Sequence, residues 1–255
     1  MQRARLLIDP PLDGPANMAR DEALMNACAA GRSEPVLRFY AWSQPTISLG
    51  RFQDYAAYQQ LPPPAGRLPV VRRITGGGAI LHDLEVTYAL VLPAKHPLVK
   101  GQPNHLYELA HAAIIAAIGA GARRFDENDA VCDASSQRGP FFCFARRHGL
   151  DVVIDDPQGP RGVSKIAGSA QRRTPQAILQ HGSIMLDSRY PQQPVATWSA
   201  LAGSLDFQAA VPRLIPAFEK TLGTKLHADT WTDIDLSEAQ RIRSKYAGLT
   251  WTKAR

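Results

Sequence analysis

Cysteine is scarce in this chain: three occur in 255 residues, Cys28, Cys132 and Cys143, and none has a partner at metal-ligand spacing. Three thiols cannot all pair with one another, which points to a reducing, cytoplasmic setting, and no metal site is expected. No apolar run approaches the length of a membrane span, and the N-terminus has no apolar signal core, so no membrane association is expected. No G-x-x-x-x-G-K-[ST] is present and no G-x-G-x-x-G opens a helix, which argues against P-loop and Rossmann nucleotide binding. The net charge of +6 is scattered rather than gathered into a basic tract interleaved with aromatics, so a nucleic-acid partner is not expected either. Internal repeats and low-complexity tracts are also missing.

What remains is an ordinary globular composition, 45% hydrophobic and 20% charged, long enough to bury a substantial core. One domain over residues 1–255 is expected. A first helix is predicted from an Asn17 cap to about Gly31. Strands are predicted over 36–42, 46–50, 70–74, 85–92, 151–154, 164–171 and 177–186. In the 85–92 strand, Val86, Tyr88, Leu90 and Leu92 mark one face, and Thr87, Ala89 and Val91 the other. Leu106, Leu109, Ala110, Ala113, Ile114, Ala117 and Ile118 fall at helical spacing and read as a core-facing stripe. Helices are predicted near 212–222 and 237–247, the second with a Ser-x-x-Gln capping box at Ser237 and Gln240. Strands and helices mixed without regular βαβ repetition argue for α+β.

The densest chemistry lies at 71–83. There Arg72 and Arg73 precede Gly76, Gly77 and Gly78, and a short apolar run ends at His82-Asp83. Glycines let a ligand lie against backbone, and the arginines supply fixed charge for a phosphate, a carboxylate or an acidic partner. Two further glycine-bearing segments follow, Lys165-Ile166-Ala167-Gly168-Ser169-Ala170-Gln171 and Gln180-His181-Gly182-Ser183. Lys165 opens a run of small residues that leave room for a ligand along the backbone. Cys143, in Phe141-Phe142-Cys143-Phe144, reads either as a small buried hydrophobe among aromatics or as a nucleophile activated by a nearby ammonium.

Together these segments resemble the biotin/lipoate A/B protein ligase family, whose members acylate a lysine on a carrier domain. The resemblance runs in order through residues 17–24, 37–42 with 45–53, the Arg-Arg-x-Thr-Gly-Gly-Gly block, 165–173, and Lys245-Tyr246 with Trp251. It implies a mixed β-sheet core with flanking helices, a catalytic domain of the class II aminoacyl-tRNA synthetase/biotin ligase-like type. The family lysine that contacts the reacting acyl group corresponds to Lys165. Octanoyltransferases of the family resemble this chain in carrying a Cys-Phe before the lysine strand, matched by Cys143; Cys132 is the lesser rival, and Cys28 reads as core.

The expected reaction is octanoyl transfer through a Cys143 thioester in lipoate biosynthesis. The donor would be octanoyl-acyl carrier protein. The acceptor would be a lipoyl carrier domain, from the glycine cleavage H protein or a 2-oxoacid dehydrogenase E2. Acidic carriers of this kind suit the basic balance of the chain. A thioester is already activated, so this route calls for no cofactor. ATP and Mg²⁺ would be needed only by a lipoate–protein ligase, with Lys165, Arg72 and the glycine block holding lipoyl-adenylate. Further alternatives are acyl exchange between two carrier proteins and a non-catalytic acyl-chain or carrier-binding module. Arg72, Arg73, Gly76, Gly77, Gly78, His82, Gly168, Ser169, His181 and Gly182 are expected to bind substrate. His82 and His181 are each either a structural histidine or a helper in deprotonating the amine.

Two departures stand out. The 154–163 connection is longer than the tight turn usual before the family lysine, either as a hairpin extension or as an altered acceptor surface. The chain also stops soon after Trp251, where many single-chain ligases continue into a further domain; this favours the transferase expectation, although ligases split over two chains lack that domain too.

Overall fold

The computed structural model describes residues 2–99, 102, 104–119, 121–125, 140–145, 149–157, 159 and 162–255. In chain order the first elements are β1 (Gln2–Ile8), α1 (Gly14–Ala29), β2 (Val36–Tyr40), β3 (Thr46–Leu49), α2 (Tyr55–Gln59), β4 (Val70–Arg72), β5 (Ile80–His82) and β6 (Glu85–Pro93). Then come α3 (His105–Ile118), β7 (Ala122–Arg124), β8 (Val152–Asp155), β9 (Val163–Arg173) and β10 (Ala177–Met185). The chain continues through α4 (Trp198–Ala202), α5 (Phe207–Leu222), β11 (Thr224–Ala228), α6 (Asp233–Ala247) and α7 (Leu249–Thr252).

Eight strands form one mixed sheet in the order β11-β1-β2-β6-β10-β9-β8-β7, and β4-β3-β5 form a smaller one. β1 runs parallel to both β2 and β11, and the other pairs of the large sheet are antiparallel. Helices cover both faces of the large sheet, so its central strand β6 is buried almost from end to end. Its alternation follows the sequence pattern. Val86, Tyr88, Leu90 and Leu92 join the core beneath α3 and α5, while Ala89 and Val91 join the one beneath α1 and α6. The α3 stripe is buried on the first of these cores.

Several expected boundaries move, two of them because a better hydrogen-bonding partner lies nearby. Asp13, not Asn17, caps α1: its carboxylate accepts the Ala16 N–H at 2.8 Å. Asn17 is instead buried within the helix, donating to the Leu12 and Ala41 carbonyls and accepting from Arg38. α6 starts four residues before Ser237, because the Thr232 hydroxyl accepts from the Asp235 N–H and two acidic residues occupy the first turn. β1 and β11 had no expected counterpart, and α5 begins at Phe207, ahead of Pro212. β8 and β9 pair antiparallel from Asp155 and Val163 onward, and the Ser164 hydroxyl donates to Asp156 at 2.6 Å.

Arg72, expected to contact a ligand, is buried and braces backbone. Its guanidinium donates to the backbone carbonyls of Gly50 at 2.9 Å, Gln53 at 2.7 Å and Thr252 at 3.0 Å. The Trp251 indole in turn donates to the Arg72 carbonyl at 2.7 Å. Buried carbonyls require donors, and a guanidinium satisfies several at once.

Candidate active site

Cys143 meets the glycine block through a single isolated bridge. Ala79 N–H donates to the Phe141 carbonyl at 3.0 Å, and Cys143 N–H donates to the Ala79 carbonyl at 2.7 Å. Gly78 permits that approach, since a Cβ there would lie 3.1 Å from both the Cα and the N of Cys143. The aromatic neighbours Phe142 and Phe144 are buried, whereas Cys143 is only half-buried. The hydrophobe reading therefore fits the phenylalanines better than the thiol.

Lys165 lies on β9 with its ammonium 3.7 Å from Cys143 Sγ. Asp151, just before β8, holds that ammonium at 2.8 Å, and the Phe144 ring lies 5.2 Å from it. Gly168 makes the room: a Cβ there would fall 2.4 Å from Lys165 Cε and 2.6 Å from Nζ. Gly168→Ala is therefore expected to push the lysine aside while the fold survives, because the displaced atoms end a flexible side chain. A shift of about 1 Å at a reacting group can cost about a hundredfold in rate. Acyl-transfer assays should show a loss of that order while the melting temperature stays close to the parent's. A parental rate would refute this account of Gly168.

Cys143, Lys165, Asp151, Ser169, Gly77 and Gly78 line one cavity of about 370 Å³, closed on its α3 side by Asn104, Tyr107 and His111 and bordered by Leu150. Its volume is that of a small-ligand site. The glycine block is shaped by buried Arg73, whose guanidinium donates to the carbonyls of Gly76 and Gly78, each at 2.7 Å, and to that of Ser48 at 2.9 Å. Burial lowers the Arg73 guanidinium to about 10. Arg73 thus acts on the site through the loop it clamps.

His82 and His181 stand apart from that cavity. Both, with Gly182 and Arg73, line a second, narrow space of about 20 Å³ beside Trp42 and Ile80. His82 stacks on Trp42 with ring centroids 3.8 Å apart, and its nitrogens meet Glu85 at 2.9 Å and Ser48 at 2.7 Å. Burial lowers its basicity, with Glu85 opposing that shift. His181 is bonded to Asp21 at 2.9 Å and to the Thr75 hydroxyl at 2.7 Å. Each imidazole has both nitrogens engaged and neither lines the Cys143 cavity, which favours the structural of the two readings over help in deprotonating an amine. Cys28 is buried core, its thiol raised to about 11 by burial, and Cys132 lies outside the described residues.

Reading the sequence alone missed Asp151 and the polar residues of α3. The second left a trace: Tyr107 and His111, four apart, interrupt the apolar character of that helix. Asp151 left none beyond standing at a strand start.

The profile described as lipoyl protein ligase A/B catalytic domain matches residues 13–210. The chain belongs to this family. An octanoyltransferase LipM of Moorella thermoacetica is 31% identical, with 98% of this chain and 97% of that protein aligned. The LipM octanoyltransferase of Macrococcus caseolyticus is 34% identical over the full length of both. Among solved structures, a bi-partite lipoate protein ligase of Thermoplasma acidophilum, described with its E2 lipoyl domain, superposes with a TM-score of 0.73. It is 22% identical, with 99% of this chain and 97% of that chain covered, and shares the mixed α+β fold. Among the described residues no helix is long and apolar enough to cross a membrane.

Proposed function

We propose that this family member is an octanoyltransferase of lipoate biosynthesis that works through a thioester on Cys143. The observation that carries the reading is the half-buried Cys143 sulfur 3.7 Å from a lysine ammonium, in a cavity floored by glycine backbone. Similarity to LipM octanoyltransferases over the whole chain supports it.

The donor is octanoyl-acyl carrier protein. The Cys143 sulfur attacks the carbonyl carbon of its thioester, the bond to the carrier's sulfur breaks, and the carrier thiol leaves with a proton. The amine of a lipoyl-domain lysine then attacks the new thioester. It loses a proton as the amide forms and returns Cys143 to its starting state. In both steps the Lys165 ammonium and the Gly77–Gly78 backbone stabilise the oxyanion. Asp151 keeps that ammonium in place, and the sulfur-bound intermediate divides one hard transfer into two easier ones. The acyl chain lies in the cavity between the glycine floor and Tyr107. An activated donor makes ATP unnecessary. A lipoyl domain as acceptor is in keeping with the E2 lipoyl domain named with the Thermoplasma ligase, and the net charge of +6 suits an acidic carrier.

ATP-dependent lipoate attachment is the second reading, favoured by the fold shared with lipoate ligases. Incubation with octanoyl-acyl carrier protein without ATP is expected to raise the mass of the protein by one octanoyl group, lost again when a lipoyl domain is added. No adduct, together with domain modification by lipoate plus ATP, would establish the ligase instead. Replacing the donor by an octanoylated carrier domain tests acyl exchange between carriers.

A further inference from the structure

His111 takes no part in the steps above, yet it lines the same cavity as Cys143, Lys165 and Asp151. Its ring is buried, and Nδ1 contacts the Leu150 carbonyl. A carbonyl only accepts, so Nδ1 carries the hydrogen. Burial pushes the imidazole down to about 4, so near pH 7 the ring is neutral and Nε2 keeps its lone pair. Nε2 lies 2.6 Å from Ser169 Oγ, whose hydroxyl must therefore donate to it.

With that hydrogen engaged, Ser169 Oγ accepts from the Tyr88 hydroxyl at 2.6 Å. The Tyr88 oxygen accepts from Gln180 Nε2 at 2.7 Å, and Gln180 Oε1 accepts from Gln171 Nε2 at 2.6 Å. Donation runs in one direction from Gln171 to the Leu150 carbonyl, and the last acceptor sets the sense of the whole series.

Both ends of the imidazole bear on the reacting groups. Leu150 directly precedes Asp151, whose carboxylate holds Lys165. His111 thus anchors the backbone from which that carboxylate projects. Ser169, its hydrogen turned toward His111, offers the cavity an oxygen lone pair. It can receive an N–H but cannot donate to an oxyanion.

We propose that His111 is a positioning residue that holds Leu150–Asp151 so that Asp151 sets Lys165 against Cys143, and that keeps Ser169 as an acceptor for an N–H of the attacking lysine amine. The role given to Ser169 rests on the thioester reading of the site. The effect on the Cys143 surroundings does not.

His111→Asn and His111→Gln separate the two contacts. The asparagine amide nitrogen takes the place of Nδ1, and the glutamine amide reaches the place of Nε2. The readouts are the alkylation rate of Cys143 by iodoacetamide, resolved by peptide mass spectrometry, and the two half-reactions with octanoyl-acyl carrier protein and a lipoyl domain. His111→Gln is expected to slow both alkylation and acyl-enzyme formation by about tenfold, the scale of one lost buried hydrogen bond. His111→Asn is expected to keep the parental alkylation rate but to slow transfer to the lipoyl domain by about tenfold. Parental behaviour of either variant in its assigned step would overturn the proposal. So would equal losses in both variants that follow the fraction of folded protein. If the parent itself forms no acyl-enzyme, the thioester reading falls, while the alkylation rates still decide whether His111 sets the Cys143 surroundings.

Discussion

Cys143→Ala is expected to form no acyl-enzyme with octanoyl-acyl carrier protein and to transfer octanoyl groups at least about a thousandfold more slowly than the parent, as nucleophile deletions do. The reasoning is geometric. The thiol is half-buried at the wall of the cavity, while Phe142 and Phe144 on either side carry the packing. Removing the sulfur leaves those rings in place, so the melting temperature should stay near the parent's. Intact-protein mass spectrometry and a lipoyl-domain acylation assay read both outcomes. Cys28 is buried in the α1–α6 core and cannot substitute, so a persisting adduct would have to be traced by peptide mapping. An alanine variant that still transfers octanoyl groups at the parental rate would remove Cys143 from the mechanism.

The second large effect belongs to Lys165. Lys165→Met removes the ammonium that lies 3.7 Å from the sulfur and 2.8 Å from Asp151. Losing one preorganised oxyanion stabiliser costs roughly 10²–10³ in kcat. Here a stability cost accompanies it, because the Asp151 carboxylate stays nearly buried without that countercharge. Breaking such a pair costs about 3–5 kcal/mol. The double variant Lys165→Met/Asp151→Asn removes both charges and is expected to recover most of the stability but none of the rate. Denaturant melts alongside acyl-enzyme kinetics check this. If the double variant regained activity with stability, Lys165 would be a structural residue only. Lys165→Arg should also fail, since the planar guanidinium is wider than the space that Gly168 leaves.

Parts of the candidate site could be read residue by residue. The Lys-Ile-Ala-Gly-Ser run and the Cys-Phe pair each gave a side-chain type and a local context, and both ended at one cavity. The arginine pair, expected at a ligand, meets backbone carbonyls for a physical reason. Guanidinium groups answer buried carbonyls as readily as they answer anions, and which they meet depends on chain segments far away in sequence. Arg72 reaches Thr252, 180 positions along, and Arg73 turns back on its own glycine loop. For the two histidines both readings stayed open: Glu85 stands only three residues from His82, but Asp21, the partner of His181, lies 160 positions away and is invisible to local context. Asp151 and His111 were missed because a carboxylate at a strand start and a histidine on an apolar helix are ordinary until their neighbours are known.

The sequence by itself determined the family, the strand alternation of β6 and the buried stripe of α3, and it singled out Cys143 and Lys165 as candidates, because side-chain chemistry and period are properties of short segments. Only the tertiary structure decided that Cys143 and Lys165, 22 positions apart, meet. That contact needs β9 in register beside β8 and a single bridge from Ala79 to Phe142. Neither pairing is encoded in any one segment. The first follows from the strand order of the large sheet, the second from burying Ala79 and Phe142 together in the core of the small one.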